Sequence, residues 1–176
     1  MNDLVGSRVL VHGTSVLLGA AAKPFGGPED MAVLLLGDSG SGKSDLALRL
    51  INAGAKLISD DQTALFIRGS TRGGRLYAAA PDRTRGLLEV RGVGIVPVDA
   101  VAEAPIALVV QLSTGEIPRL PEAATYAAPP PLRPMISPVL ITLNPYEAST
   151  PAKVVAAAAA TIKGRPGAPS RNINQL

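Results

Sequence analysis

The sequence predicts an α/β fold, a mixed β-sheet with flanking helices, and three observations carry that prediction. A continuous apolar run at residues 31–36 has strand length, closes on Gly37, and leads through a glycine-rich turn straight into helical periodicity. Residues 63–68 and 75–80 read as two strands joined by a turn region, which makes them antiparallel neighbours. Two further apolar runs, 106–112 and 139–143, have the composition of strands buried on both faces of a sheet. Size and composition agree. The 176 residues, 47% apolar and 18% charged, suit one domain able to bury a core, while 18 Gly and 16 Pro exclude a coiled coil or long bundle.

Taken in order, residues 9–12 and 15–18 read as a pair of short β segments joined at Gly13-Thr14. Residues 20–30 carry Pro24, Gly26, Gly27 and Pro28 and read as a loop before the strand at 31–36. From Ser44 the apolar positions Leu46, Ala47, Leu50 and Ile51 recur at helical spacing, Asp45 suits a first turn, and Gly54 is placed to stop the helix. A short strand at 56–59 runs into Asp60-Asp61, and the 63–68 and 75–80 strands flank a turn region at 69–74. Residues 87–98 mix β-branched residues with Gly92 and Gly94, which suggests bends or close backbone approach. Between the last two strands, residues 115–138 hold seven prolines and read as a long surface excursion. An alanine-rich helix opens at Pro151 and ends near Lys163, so residues 1–163 form one expected domain and 164–176 an expected disordered tail.

Composition narrows the function. Seventeen Lys and Arg against fourteen Asp and Glu leave a formal charge of +3, too small and dispersed for a surface that tracks phosphates along a polymer. Two Phe, three Tyr and no Trp offer little stacking platform, so nucleic acid is not the expected partner. The absence of Cys fits a reducing compartment, and the cytoplasm is the expected location. The apolar stretch 9–22 resembles a secretory leader, but Asp3 precedes it and His12, Gly13 and Thr14 interrupt it. No run reaches the 18 or so apolar residues that a membrane-spanning helix needs.

The sharpest chemical signal is Gly37-Asp38-Ser39-Gly40-Ser41-Gly42-Lys43-Ser44, a full match to G-x-x-x-x-G-K-[ST] where a strand ends and a helix begins. Such a loop needs glycines so that successive N–H groups converge, a helix N-terminus for positive potential, a Lys for the outer phosphates and a hydroxyl for Mg²⁺. Seventeen and eighteen residues after Lys43 stand Asp60 and Asp61, at the C-terminal end of a predicted strand, where α/β sheets place ligand-contacting groups. One carboxylate can serve Mg²⁺ and the other take a proton, provided the strand breaks there, because neighbours in extended backbone point to opposite sides. No N-K-x-D segment is present to read guanine, which favours ATP. The chain also lacks the LSGGQ-like signature and the Asp-Glu pair of transport and mechanochemical ATPases.

Three blocks together resemble the catalytic domain of the HPr kinase/phosphorylase family, which acts on a serine of the phosphocarrier protein HPr. They are VHGTSVLL containing His12, LLLGDSGSGKSDLALRLINAGAKLISDD at 34–61, and GLLEVRGVGIV at 86–96. The resemblance implies a P-loop fold of the phosphoenolpyruvate carboxykinase-like kind, with Gly37 to Ser44 holding the ATP phosphates, Lys43 on the outer ones and Ser44 on Mg²⁺. It further implies that one of the pair, Asp60 being the first choice over Asp61, takes the proton of the acceptor serine and returns it in the reverse reaction, while its neighbour supports Mg²⁺ or the loop. Glu89 matches a carboxylate linked to the metal. Arg91, Gly92 and Gly94 match a substrate-facing turn, and His12 a histidine beside the phosphate site. Arg83 and Arg85, in the same stretch, are candidates for meeting an acidic or phosphorylated partner.

Related catalytic domains assemble as hexamers, so a homo-oligomer is implied. Eleven residues precede His12, the expectation being a short, one-domain member. Where many members carry a Gly-Arg-Asn block before the last helix, this chain reads LNPYEASTPAKV, which bears on whether the reverse phosphorolysis survives. Two other readings share the loop: a kinase of a small metabolite, and a non-catalytic module that ATP switches between partners.

Overall fold

The computed structural model describes residues 7–69, 74–122 and 124–163. In chain order it runs β1 (Val9–Leu17), a 3-10 helix (Gly19–Phe25), β2 (Ala32–Leu36), α1 (Lys43–Asn52), β3 (Lys56–Ser59) and β4 (Gln62–Arg68). Then come β5 (Arg75–Ala79), β6 (Leu87–Val90), β7 (Gly94–Pro97), β8 (Glu103–Leu112), β9 (Ala124–Thr125), β10 (Val139–Leu143) and α2 (Thr150–Lys163).

Strand β2 shows why the apolar runs fold as they do. Val33 and Leu35 enter a core shared with α1 and α2, whereas Ala32 and Leu34 enter a second core among strands β3, β4, β5 and β8. Alternate side chains thus fill two cores, so no polar position is tolerated along the strand. Strand β8 does the same with a slip: Ala32 pairs with Ile106 but Val33 pairs with Leu108, and this irregularity lets Ala107 and Leu108 both face the helix-side core.

The strand pairings close a ring. Strand β2 pairs with β1, β1 with β4, β4 with β5, β5 with β8, and β8 back to β2. Two strands make this closure possible by changing partners along their length. The first half of β1 pairs with β4 through His12↔Gln62, and its second half pairs with β2 from Gly13↔Leu36 onward. A Cβ on Gly13 would stand 2.9 Å from Leu36 Cδ2 and 3.0 Å from the Leu35 carbonyl, so the handover point admits only glycine without rearrangement. The two β segments expected at 9–12 and 15–18 are therefore one strand with two sets of neighbours. Strands β2, β8 and β10 are parallel, in that order, and their carboxyl ends share one side of the sheet.

Three expectations need correction in detail. The loop expected at 20–30 contains the 3-10 helix, whose Ala21 and Ala22 are buried. The bends expected at 87–98 resolve into a β6–β7 hairpin, its turn supplied by Gly92 and Gly94 at φ of 84° and 116°. The surface excursion at 115–138 pairs β9 with β10 and buries Leu132 in the second core. Residues 70–73 of the expected 69–74 turn and the expected 164–176 tail lie outside the described residues. Among the described residues, no helix is long and apolar enough to cross a membrane.

Candidate functional site: a phosphate loop facing paired carboxylates

The Gly37 to Ser44 segment leaves the end of β2 and becomes the first turn of α1, as its composition predicts. Gly40 and Gly42 take φ of 77° and 88°, backbone that L side chains rarely adopt. A Cβ on Gly40 would meet nothing within 4 Å, so this part of the loop opens onto free space. Lys43 is almost wholly buried, and its Nζ donates to the carbonyls of Gly37 and Asp38, at 2.8 Å each. Burial pushes the Lys43 ammonium below its ordinary pKa, against the opposing pull of Asp61, Asp38 and Asp60.

The chain breaks between the two carboxylates as their spacing requires. Asp61 sits at φ 62°, left-handed backbone that is uncommon away from glycine, so the extended alternation ends there and both residues reach the phosphate loop's surroundings, Asp60 at Ser44 and Asp61 in the cavity wall. Asp60 turns inward and is 7% exposed. Its Oδ1 accepts from Thr14 Oγ1 and from Ser44 Oγ, both at 2.8 Å, and its Oδ2 accepts from the Glu89 amide at 3.1 Å. Asp61 turns outward, and its carboxylate meets His12 Nδ1 at 3.2 Å. One aspartate therefore fastens the phosphate loop to β1 and β6, while the carboxylate of the other stands outside those bonds and only its amide joins them, at Thr14 Oγ1.

A cavity of about 510 Å³ opens over the loop. Ser39, Gly40, Gly42, Lys43 and Ser44 line it from the loop, His12 and Asp61 from β1 and the β3–β4 turn, and Glu89 and Arg91 from the hairpin. Gly37, Asp38 and Ser41 are not part of the lining, and Ser41 Oγ is buried without a hydrogen-bond partner. Asp60 is also absent from the lining: its Oδ1 accepts two hydrogen bonds and its Oδ2 one. Gly92 and Gly94 shape the hairpin turn without reaching the cavity. Arg83 and Arg85 lie outside it as well, Arg85 paired with Asp82 at 3.7 Å.

Ser44 Oγ and the Asp60 carboxylate are hard oxygen donors beside an open, N–H-rich loop, which suits Mg²⁺ carried by a polyphosphate. Among the described residues no group of three or more His, Asp and Glu forms a metal cage. Ser44, Asp61 and Glu89, the expected set, all line the cavity, and the carboxylate joined to Ser44 is that of Asp60.

Sequence reasoning missed Tyr146. It lines the cavity from the turn after β10, and its hydroxyl donates to the Gly40 carbonyl at 3.3 Å. A lone tyrosine after a strand carries no motif, although in a chain with only five aromatics its place at a parallel strand's carboxyl end was a usable signal.

A family model described as the HPr Serine kinase C-terminal domain matches residues 29–116, a span that holds the phosphate loop, both aspartates and the hairpin. The HPr kinase/phosphorylase of Mycoplasmopsis pulmonis is 40% identical over 94 residues, which are 53% of this chain and 26% of that protein. The HPr kinase/phosphorylase of Limosilactobacillus reuteri is 36% identical over 104 residues, 56% of this chain and 32% of its own. The chain thus aligns with about a quarter to a third of the length of these curated relatives. Among solved structures, the HPr(Ser) kinase/phosphatase from Coxiella burnetii shares the fold at a TM-score of 0.64 and 19% identity, over 88% of this chain and 90% of that one.

Proposed function

The chain belongs to the HPr serine kinase C-terminal domain family, and from that premise we propose that it transfers the γ-phosphoryl group of ATP to a serine hydroxyl of an HPr-like phosphocarrier protein. The observation that carries this reading is the double use of the aspartate pair. Asp60 ties Ser44 of the loop to the amide of Glu89, while Asp61, next in sequence, faces the cavity beside His12.

In the forward reaction the loop amides and Lys43 hold the β- and γ-phosphates, which requires Lys43 Nζ to exchange the Gly37 and Asp38 carbonyls for phosphate oxygens. Ser44 and Asp60 would hold Mg²⁺, which would supply positive charge to offset that of the phosphates. The serine oxygen forms a bond to the γ-phosphorus as the bond to the β–γ bridging oxygen breaks, and the serine proton passes to a carboxylate. We assign that proton to Asp61, which lines the cavity, and the fastening of Ser44 to Asp60. His12 holds the Asp61 carboxylate in place at 3.2 Å. Glu89 and Arg91 stand at the cavity mouth, where a protein acceptor must enter. For phosphorolysis, an oxygen of inorganic phosphate would attack the seryl phosphorus in place of ADP, the bond to the serine oxygen breaking as pyrophosphate forms and Asp61 returning the proton to the serine.

The test is mass spectrometry of purified HPr after incubation with this protein, ATP and Mg²⁺. A gain of one phosphoryl group on a serine is the expected result. Label on a small metabolite, or slow release of phosphate alone, would replace this reading with a metabolite kinase or a nucleotide-switched module.

A further inference from the structure

The turn between β10 and α2 is held from both sides. Arg49, on the helix that grows out of the phosphate loop, donates to the Pro145 carbonyl and, at 3.3 Å, to that of Glu147. Thr150 Oγ1 donates to the Asn144 carbonyl at 2.5 Å, and Asn144 Oδ1 accepts from the Tyr146 amide at 3.0 Å. A Cβ on Gly42 would lie 3.1 Å from Pro145 Cβ and 3.6 Å from the Tyr146 ring, so the turn rests directly on the loop. These restraints fix the backbone, yet the Tyr146 side chain is 63% exposed. Apart from the His12 imidazole, which is paired with Asp61, it is the one aromatic ring among the described residues that lines the cavity.

Topology says what such a ring faces. Strands β2, β8 and β10 are parallel neighbours, and the phosphate loop follows the first while Tyr146 follows the third. A ligand whose charged end sits in the loop has the crevice at these carboxyl ends to extend along, and Tyr146 and Leu48 are both among the residues that line it. A flat, rigid, largely uncovered ring beside a phosphate site suits the face of a planar heterocycle.

We propose that Tyr146 is the nucleobase-binding residue of this site, its ring the platform on which the base of the nucleotide stacks. The proposal rests on the reading that the loop binds the phosphates of a nucleotide. It does not depend on the identity of the phosphoryl acceptor. Stacking tolerates any base, so the turn supplies affinity for a nucleoside and leaves the choice of base to other contacts.

Calorimetric titration of the intact chain with ATP, ADP and inorganic tripolyphosphate, each with Mg²⁺, tests it on the native protein and on Tyr146→Phe and Tyr146→Ala. Replacing the ring with Ala should weaken ATP and ADP by about 5- to 150-fold, the range for losing one base–aromatic stack, and leave tripolyphosphate unchanged. Phe keeps the ring without the hydroxyl bond to Gly40, so it should bind ATP nearly as the native chain does. Equal weakening of ATP and tripolyphosphate in the Ala variant would overturn the proposal, since the ring would then only shape the loop. Unchanged ATP affinity in that variant would overturn it too. A native chain that binds neither ATP nor tripolyphosphate would instead sink the phosphate-loop reading and this proposal with it, and the two failures are told apart by the tripolyphosphate arm.

Discussion

Lys43 reaches the phosphate site from a buried position, and burial lowers its pKa from the ordinary 10.5. Polyphosphate needs the ammonium form, so affinity is complete below the free protein's lowered pKa and falls as pH climbs through it, starting short of 10.5. Fold stability moves the other way: the buried ammonium is disfavoured, so stability rises with pH between that lowered value and 10.5. Titrating tripolyphosphate affinity against pH checks the sign, and Lys43→Ala, with binding largely gone, should show no such decline. The aspartates separate by the same logic of place. Asp61→Asn should cut transfer by about 10²-fold or more while leaving ATP affinity close to native, because a proton acceptor acts mainly in the transition state. Asp60→Asn should instead weaken binding of Mg²⁺ with ATP and lower Tm, since it disturbs bonds to Thr14, Ser44 and the Glu89 amide together. Single-turnover kinetics beside calorimetry distinguish these outcomes, and the reverse pattern would give the proton to Asp60. The pair was visible in the sequence because its distance from Lys43 and its strand-end position are local. Its division of labour was not, because the partners of Asp60 lie 46, 16 and 29 residues away.

At the scale of elements, the loop and α1 were legible because each junction is written in backbone terms. Glycines stand where φ is positive, apolar residues recur at helical spacing, and Gly54 ends the helix at φ 106°. Gly54 also carries tertiary packing that no local rule reveals, since a Cβ there would stand 3.0 Å from Ala20 Cβ and 3.2 Å from the Ala21 amide. Gly54→Ala should therefore cost about 1–3 kcal/mol through backbone strain, measured as a drop in Tm, without moving the site. Strands announced themselves by composition, and the β4–β5 pairing by the short link between them. The partner change within β1 did not, because it depends on which strands arrive at each end of β1, and those come from β2, β3 and β4. The β10–α2 turn was passed over for a related reason: what makes it part of the site is Arg49, about 96 residues earlier in the chain.

Across the whole molecule, the candidate site joins parts that otherwise pack into different cores. Helix α1 belongs to the helix-side core and β4 and β5 help to fill the second, strand β2 supplies side chains to both, and Asp60 links the loop to Thr14 of β1 and the Glu89 amide of β6. A ligand seated on the loop therefore couples to cooperative unfolding of the whole chain, and its binding energy adds to global stability. At a free concentration of 100 times Kd, ATP with Mg²⁺ should add about 2.7 kcal/mol, which for a domain of this size raises Tm by roughly 5–10 °C. Lys43→Ala should abolish that shift, while Gly54→Ala should lower the starting Tm and keep the increment, because the first removes the ligand's partner and the second only strains the helix end. Thermal melts of the three chains with and without nucleotide decide the matter: an increment that survives Lys43→Ala at full size would place the nucleotide somewhere other than the Gly37 to Ser44 loop.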